Sequence, residues 1–167
     1  MRKQYFFIIL CLLISLFIYL FYRTEKTIIN EIFIAIISFD SFIELRSSIK
    51  NVIPLNEHII YSLPEGLWVF CITLTSKHLF LKVDSRKINL VYFPLIFSIG
   101  LELFQLLHLT NGRFDFWDIA FSLVFWIIAY YLSPYKGKRQ NILNPFNFKS
   151  FICVISYLIV YLAHVWK

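Results

Sequence analysis

The sequence predicts an all-α fold, a polytopic membrane helical bundle of about five transmembrane helices plus one interfacial helix. Two observations support that fold class. The 167 residues are 59% hydrophobic, 20% aromatic and only 16% charged, whereas average soluble domains carry roughly 25% charged residues. The apolar residues also form long runs, and most charges lie at the ends of those runs. A water-soluble fold of this length could not bury so much apolar side chain, so we expect a single membrane domain spanning residues 1–167.

The first predicted span is the uncharged run 5–22, which follows Arg2 and Lys3. Its bulky residues continue without the small-residue cleavage site of a signal peptide, so we interpret it as an uncleaved signal anchor. Residues 23–62 then form an extracytoplasmic segment. Within that segment, the stretch 27–45 combines an apolar run with closely flanking acidic residues, which favours a helix lying in the membrane interface. A re-entrant segment is the alternative.

Four more spans are expected along the rest of the chain. Ser62 and Glu65 have the spacing of a capping box, and Pro64 is tolerated in a first helical turn, so the second span is predicted to begin there. The lengths suit a hydrocarbon core of about 30 Å, the shorter ones marginally. The predicted spans cover residues 62–81, 90–109, 118–132 and 148–166.

The basic residues predict the orientation of these spans. With the N-terminus inside and the C-terminus outside, ten of the 16 Lys and Arg residues lie in inner segments and six in outer segments, as the positive-inside rule requires. A crossing by residues 27–45 would move the basic loop 82–87 outside, so we reject it. Because the basic residues follow the span ends, the expected partner is the lipid bilayer and not nucleic acid.

No metal site and no nucleophilic thiol is predicted from cysteine or histidine. Cys11, Cys71 and Cys153 lie in three separate apolar runs, and the four histidines are scattered over four segments. No CxxC pair or Cys/His cluster has the usual ligand spacing. We therefore expect no cofactor, and a divalent cation held by acidic residues is the alternative.

Polar residues gather at the predicted outer end of the third span. Glu102 and Gln105 are three residues apart and share a helix face, with Ser98 one turn earlier. Glu102 lies roughly 9 Å below the outer helix end at 1.5 Å per residue. An ionised carboxylate at that depth is costly unless it is paired or solvated, so Glu102 is expected to face the bundle interior or a wet cavity.

The fourth span adds a second polar face. Asp115, Asp118 and Ser122 are spaced to line one side of it, and Arg113 precedes them. A short loop makes the two spans antiparallel neighbours, so these residues are predicted to meet Glu102 and Gln105, with Glu65 joining from the second span. A simpler interpretation makes Asp115 or Asp118 a helix cap. In that interpretation Glu65 is also a cap, and Arg113 is an interfacial charge that pairs with Asp115.

This constellation resembles the core motif of the VanZ-like family of membrane proteins. The motif combines Glu-x-x-Gln, a short loop with Arg, and Asp-x-x-Asp opening the next helix. In this sequence its residues are Glu102, Gln105, Arg113, Asp115 and Asp118. The resemblance covers mainly the core 63–132.

The sequence departs from the family pattern after the second aspartate. Ser122 stands where the family usually has Asn, and Phe125, Trp126 and Ala129 occupy the region of its later glycines. Close helix packing of the kind that glycines allow is therefore put in question. The resemblance implies a place in the bacterial cytoplasmic membrane and a link to glycopeptide resistance, since the namesake of the family is tied to low-level teicoplanin resistance. It implies no particular reaction, so enzyme activity is left open.

Three functions remain as hypotheses. The first is binding or handling of an amphiphilic envelope component, such as a lipid-linked cell-wall precursor, in an outward-facing polar pocket. Arg113 would pair with phosphate there, although three acids against one Arg make a poor phosphate cradle without a divalent cation. The second is a non-catalytic helper of a partner membrane protein, with a structural polar cluster. The third, transport, is least favoured because span four carries no polar relay inward from Ser122.

Overall fold

The computed structural model describes residues 2–23, 28–109, 113–132 and 139–165. This part of the chain is mostly helical, so the predicted helical class is confirmed. Thr27 and Trp166, at the ends of two predicted segments, lie outside the described residues. The helices are α1 (Arg2–Phe21), α2 (Ile28–Ile37), α3 (Phe39–Val52), α4 (Glu57–Ser76), α5 (Phe93–Leu106), α6 (Phe116–Leu132) and α7 (Phe148–Val165). The strands are β1 (Leu79–Val83), β2 (Arg86–Asn89) and β3 (Gln140–Asn141), and a short 3-10 turn covers Leu90–Tyr92.

Helix α4 is the central helix and packs against α1, α5, α6 and α7. Helix α6 runs parallel to it. The rings of His58 and Trp117 lie 4.9 Å apart near the two helix starts, and the rings of Phe70 and Phe125 lie 6.4 Å apart farther along. Most side chains of α4 are buried, including Val69. The polar residues of α4 must therefore find partners inside the bundle.

A glycine of α4 sets the distance between α4 and α6. A Cβ atom at Gly66 would lie 2.5 Å from Cδ2 of Phe125 and 3.2 Å from the carbonyl oxygen of Phe121. No side chain fits there without movement of α6. Gly66 of α4 thus allows α4 and α6 to pack closely although Phe125, Trp126 and Ala129 of α6 are not glycines.

Helix α4 begins earlier than the capping-box prediction, which was wrong. Its N-cap is Asn56, whose side-chain oxygen accepts a hydrogen bond from the backbone N–H of His58 at 3.0 Å. Asparagine and serine are about equally good N-cap residues, so the residue type alone does not decide between the two starts. Ser62 and Glu65 consequently lie inside the helix and are buried.

Pro64 interrupts the hydrogen bonds of α4, because a proline has no N–H to donate to the carbonyl four residues earlier. Arg23, at the end of α1, supplies a donor instead. Its guanidinium nitrogens lie 2.7 Å from the carbonyl oxygen of Tyr61 and 3.5 Å from that of Ile60. These contacts hold the C-terminal end of α1 against the proline turn of α4.

The stretch predicted as one interfacial helix contains two helices, α2 and α3. They are separated at Ser38, which has a φ of 71°. The buried guanidinium of Arg46 donates to the carbonyl oxygen of Phe21 at 3.0 Å and also to that of Arg23. The hydroxyl of Tyr22 donates to the carbonyl oxygen of Ile53 at 2.6 Å. These contacts hold α3 against the end of α1.

The predicted basic loop 82–87 belongs to a β-hairpin. Strands β1 and β2 are antiparallel with Lys82 opposite Lys87, and β3 adds in parallel to β1. Leu79 is buried against Leu90, Ile142 and Cys153. The second span therefore ends at Ser76 and not at residue 81, because the chain continues as a strand.

The described residues contain two helical segments long and apolar enough to cross a membrane, Gln4–Phe21 and Glu57–Ser76. A buried core helix or a signal sequence meets the same criterion. The segments Leu90–Leu106, Phe116–Leu132 and Phe148–Leu158 are apolar but shorter. By length and composition alone, fewer helices qualify than the five that the sequence predicts.

Candidate functional site

Three carboxylates from three helices meet inside the bundle and form the acidic cluster: Glu65 of α4, Glu102 of α5 and Asp118 of α6. Each offers an oxygen, and these oxygens all lie within 4.8 Å of one another. Glu102 is 1% exposed and Glu65 is 8% exposed. The structure thus places Glu102 in the bundle interior, as its depth predicts. Carboxylates so close together repel one another unless protons or a cation offset their charge.

Two serines extend the acidic cluster on the side away from the end of α5 and the start of α6. The hydroxyl oxygen of Ser98 lies 2.8 Å from Oε1 of Glu65 and 2.8 Å from the hydroxyl oxygen of Ser122. Both serines are fully buried. A hydroxyl has one hydrogen, so when Ser98 donates to the carboxylate of Glu65, the bond to Ser122 must have Ser122 as its donor.

Ser98 is a site residue that the predicted set lacks. The available signal is its spacing, because a serine four residues before Glu102 lies on the same helix face. The sequence names its partner Glu65 as a residue that joins the group from the second span, and the structure places Glu65 in the acidic cluster. The alternative that Glu65 caps a helix was wrong, because α4 begins at Glu57 and Glu65 lies inside it.

Asp115 fixes Glu102 through its backbone and caps α6 with its side chain. Its N–H donates to Oε2 of Glu102 at 3.0 Å. Its Oδ1 accepts from the N–H of Trp117 at 2.9 Å, and its carbonyl accepts from the N–H of Asp118 at 3.2 Å. The simpler interpretation therefore fits Asp115, whereas Asp118 contributes its carboxylate to the acidic cluster.

Gln105 and Arg113 lie apart from the acidic cluster. Gln105 is half-buried and Arg113 is exposed. In the described part of the chain, neither side chain makes a hydrogen bond or an ion pair with the cluster, and Arg113 makes none with Asp115. The predicted convergence of Arg113 with Glu102 was wrong, because Arg113 precedes the α6 cap and remains outside the bundle.

The acidic cluster is closed on the side that faces the C-terminal end of α6. Beyond Ser122, helix α6 places Phe125 against Gly66 and buries Ala129 completely. The indole N–H of Trp126 donates to the carbonyl oxygen of Val91 at 2.8 Å, which ties α6 to the start of the α5 segment. Among the described residues, the polar side chains therefore form a site near the end of α5 and the start of α6 that does not continue along α6.

The chemistry of the acidic cluster follows from its donor set. Three carboxylates from separate helices present oxygen ligands of the kind that hard divalent cations such as Ca²⁺ and Mg²⁺ bind. They can also accept hydrogen bonds from hydroxyl groups.

Comparisons with protein-family models, curated proteins and solved structures find no match to this chain.

Proposed function

We propose that this chain is an integral protein of the bacterial cytoplasmic membrane, resembling the VanZ-like family, that binds or handles an amphiphilic envelope component at the acidic cluster. Five helices, α1, α4, α5, α6 and α7, cross the membrane, with the N-terminus inside and the C-terminus outside. The observation that carries the proposal is the convergence of Glu65, Glu102 and Asp118 from three helices.

The outward faces of the surrounding helices support the membrane placement. Large apolar side chains are exposed along them, including Phe6 at 63%, Ile96 at 64% and Val124 at 52%. Monomeric soluble proteins rarely expose contiguous apolar surface on this scale, whereas lipid solvates it readily. Helix α6 has 17 residues and is about 26 Å long at 1.5 Å per residue. A helix of this length crosses the hydrocarbon core with its ends close to water. The acidic cluster, near the start of α6, is therefore accessible from the outer surface.

The position and charge of the acidic cluster support an amphiphilic ligand. Asp118 is in the first turn of α6 and Glu102 is in the last two turns of α5, so a lipid-linked molecule in the outer leaflet can bring its polar head to the cluster. Because Arg113 is not beside the carboxylates, a divalent cation takes the neutralising role there and links them to a phosphate. Sugar hydroxyls offer the same carboxylates a second mode of binding.

Antibiotic sensitivity tests this proposal. Cells that express the chain are compared with cells that express Glu102→Gln or Asp118→Asn at equal membrane levels. We expect the wild-type chain to alter teicoplanin sensitivity and both variants to lose that effect. Glu57→Gln is the matched control, since Glu57 is exposed at the start of the same α4 that carries Glu65. Wild-type behaviour of Glu102→Gln would remove the proposal.

A non-catalytic helper is the alternative, with the acidic cluster acting as a packing device. The buried bonds of Ser98 to Glu65 and Ser122 favour it, since they join three helices without any ligand. This function predicts that cluster variants lower the amount of folded protein, and that a partner membrane protein purifies with the chain in fixed ratio. Normal membrane yield of Asp118→Ala, together with lost antibiotic response, would argue against it.

A further inference from the structure

A pocket with a mixed apolar and polar lining lies at the opposite end of α4 from the acidic cluster. It is formed where the starts of α1 and α7 meet the residues that follow α4, and it holds about 420 Å³ of empty space including its opening. Its polar lining consists of Gln4, Thr75, His78 and Lys149. We call it the inner pocket, since the proposed orientation places this end at the cytoplasmic surface.

The lining of the inner pocket has positive charge and no acidic residue. Lys149 extends from the first turn of α7 and is exposed, so its ammonium is available to a ligand. The imidazole Nε2 of His78 lies 3.3 Å from the amide oxygen of Gln4, which orients the ring beside the start of α1. Lys77 is adjacent, but its ammonium is held by the carbonyl oxygens of Ala129 at 3.1 Å and Tyr130 at 2.5 Å.

The N-terminal ends of two helices add to the positive electrostatic potential of the inner pocket. Helices α1 and α7 both begin at the inner pocket, and neither has an acidic residue in its first turn. The positive end of a helix dipole is usually offset by such a residue. At α7 the side chain of Asn147 accepts from the N–H groups of Lys149 and Ser150 at 3.1 Å each, which satisfies donors but brings no negative charge. The inner pocket therefore lacks a counter-charge of its own among the described residues.

We propose that the inner pocket binds a phosphate group, with Lys149 and His78 as its main side-chain ligands. The phosphate comes either from an anionic lipid headgroup or from a free phosphate compound. This site is separate from the acidic cluster, and only its lipid source depends on the membrane placement proposed above. The positive charges near the inner pocket act on His78. Burial lowers the pKa of His78, and the positive charges of Lys149 and Lys77 lower it further.

Binding measurements on the purified full-length chain in neutral detergent test this proposal. The probes are inorganic phosphate, a short-chain phosphatidylglycerol and, as the comparison with no net charge, the matching zwitterionic phosphatidylcholine. We expect Lys149→Gln to weaken binding of the anionic probe roughly tenfold, the effect of losing one charge-assisted hydrogen bond. His78→Gln is expected to weaken it in the same direction. Lys82→Gln, which removes the same charge from exposed β1, is the control and should change the affinity little.

The two probes separate the sources of the phosphate group. Lys149-dependent binding of phosphatidylglycerol alone identifies a lipid headgroup, and Lys149-dependent binding of inorganic phosphate identifies a free phosphate compound. Failure of both probes to bind the wild-type chain, or equal losses in Lys149→Gln and Lys82→Gln, would overturn the proposal. Because the result is the difference between Lys149→Gln and Lys82→Gln, a failure of the acidic cluster as a functional site leaves it intact.

Discussion

The hydroxyl oxygen of Ser98 lies 2.8 Å from Oε1 of Glu65, and both residues are buried. The bond joins α5 to α4, and through Ser122 the same hydroxyl reaches α6. A buried carboxylate needs such partners, because an unsatisfied polar group in the interior is costly. The arrangement of the three helices around the acidic cluster therefore depends on this small residue.

Replacing Ser98 tests that dependence. Ser98→Ala leaves Glu65 and Ser122 each without a buried partner, which should lower the free energy of unfolding by about 1–3 kcal/mol. Denaturant titration in detergent micelles measures it. Ser48→Ala, at an exposed position of α3, is the matched change and should alter stability little. Equal stability of the two variants would show that the hydroxyl of Ser98 is not needed.

Two glycines in helices offer a matched test of the packing between α4 and α6. Gly66→Ala puts a methyl group against Phe125 and the backbone of Phe121, and overpacking of this kind costs about 1–3 kcal/mol. Gly100→Ala meets nothing within 4 Å, and alanine is the better helix former by about 1 kcal/mol. Thermal unfolding should therefore move in opposite directions for the two variants. A rise in unfolding temperature for Gly66→Ala would contradict the close approach.

Arg23 and Pro64 should be energetically coupled. Arg23→Met removes the donor that serves the carbonyls of Ile60 and Tyr61, so it should destabilise the chain. In a Pro64→Ala background the helix can regain its own N–H donor to Ile60, and the same substitution should then cost less. We expect a coupling free energy of about 1 kcal/mol from the double-mutant cycle of unfolding free energies. Strictly additive effects would mean that Arg23 does not serve the proline turn.

The pKa of His78 should respond to the charge of Lys149. Since the positive charge of Lys149 lowers this pKa, Lys149→Gln should raise it toward the ordinary value of 6.5. NMR titration of the imidazole in the wild type and the variant measures the change, with Lys82→Gln as the control. If the pKa of His78 does not rise in Lys149→Gln, Lys149 lies too far from the imidazole to affect it.

The same lowered pKa predicts the sign of a pH effect on stability. Between the lowered pKa of His78 and 6.5, the unfolded chain binds more protons than the folded chain, so stability rises with pH through that window. Acidification should therefore destabilise the wild type more than His78→Gln. Unfolding temperatures measured on both sides of the window check this, and identical pH dependence would count against it.

The proposed topology predicts which exposed positions can be labelled from outside the cell. Val52 ends α3 on the outer side, and Val83 lies in the inner hairpin; both are exposed. A membrane-impermeant thiol reagent should modify Val52→Cys but not Val83→Cys in intact cells. The three native cysteines are buried and serve as the background. Labelling of Val83→Cys in intact cells would show that the proposed orientation is wrong.

Some features of the site could be predicted because they depend on local spacing. Glu102 stands in an apolar helix one turn before its end, so an interior position follows from the cost of exposing a charge to lipid or apolar side chains. The spacing of Asp115 and Asp118 likewise placed both at the start of the following helix. Arg113 was assigned to the same group by proximity in sequence, but the cap formed by Asp115 leaves it outside.

The sequence by itself determined that the chain is helical, which apolar segments form its main helices, and that Glu102 must be enclosed. Only the tertiary structure decided that Ser98 bonds to Glu65 and that Arg113 stays outside the cluster. It also decided that Gly66 sets the approach of α6 and that residues 79–89 form a hairpin. The reason is physical. Periodicity determines which side chains share one face of a helix. Which neighbour that face meets depends on how separate helices pack, and that is a sum of contacts between residues far apart in sequence.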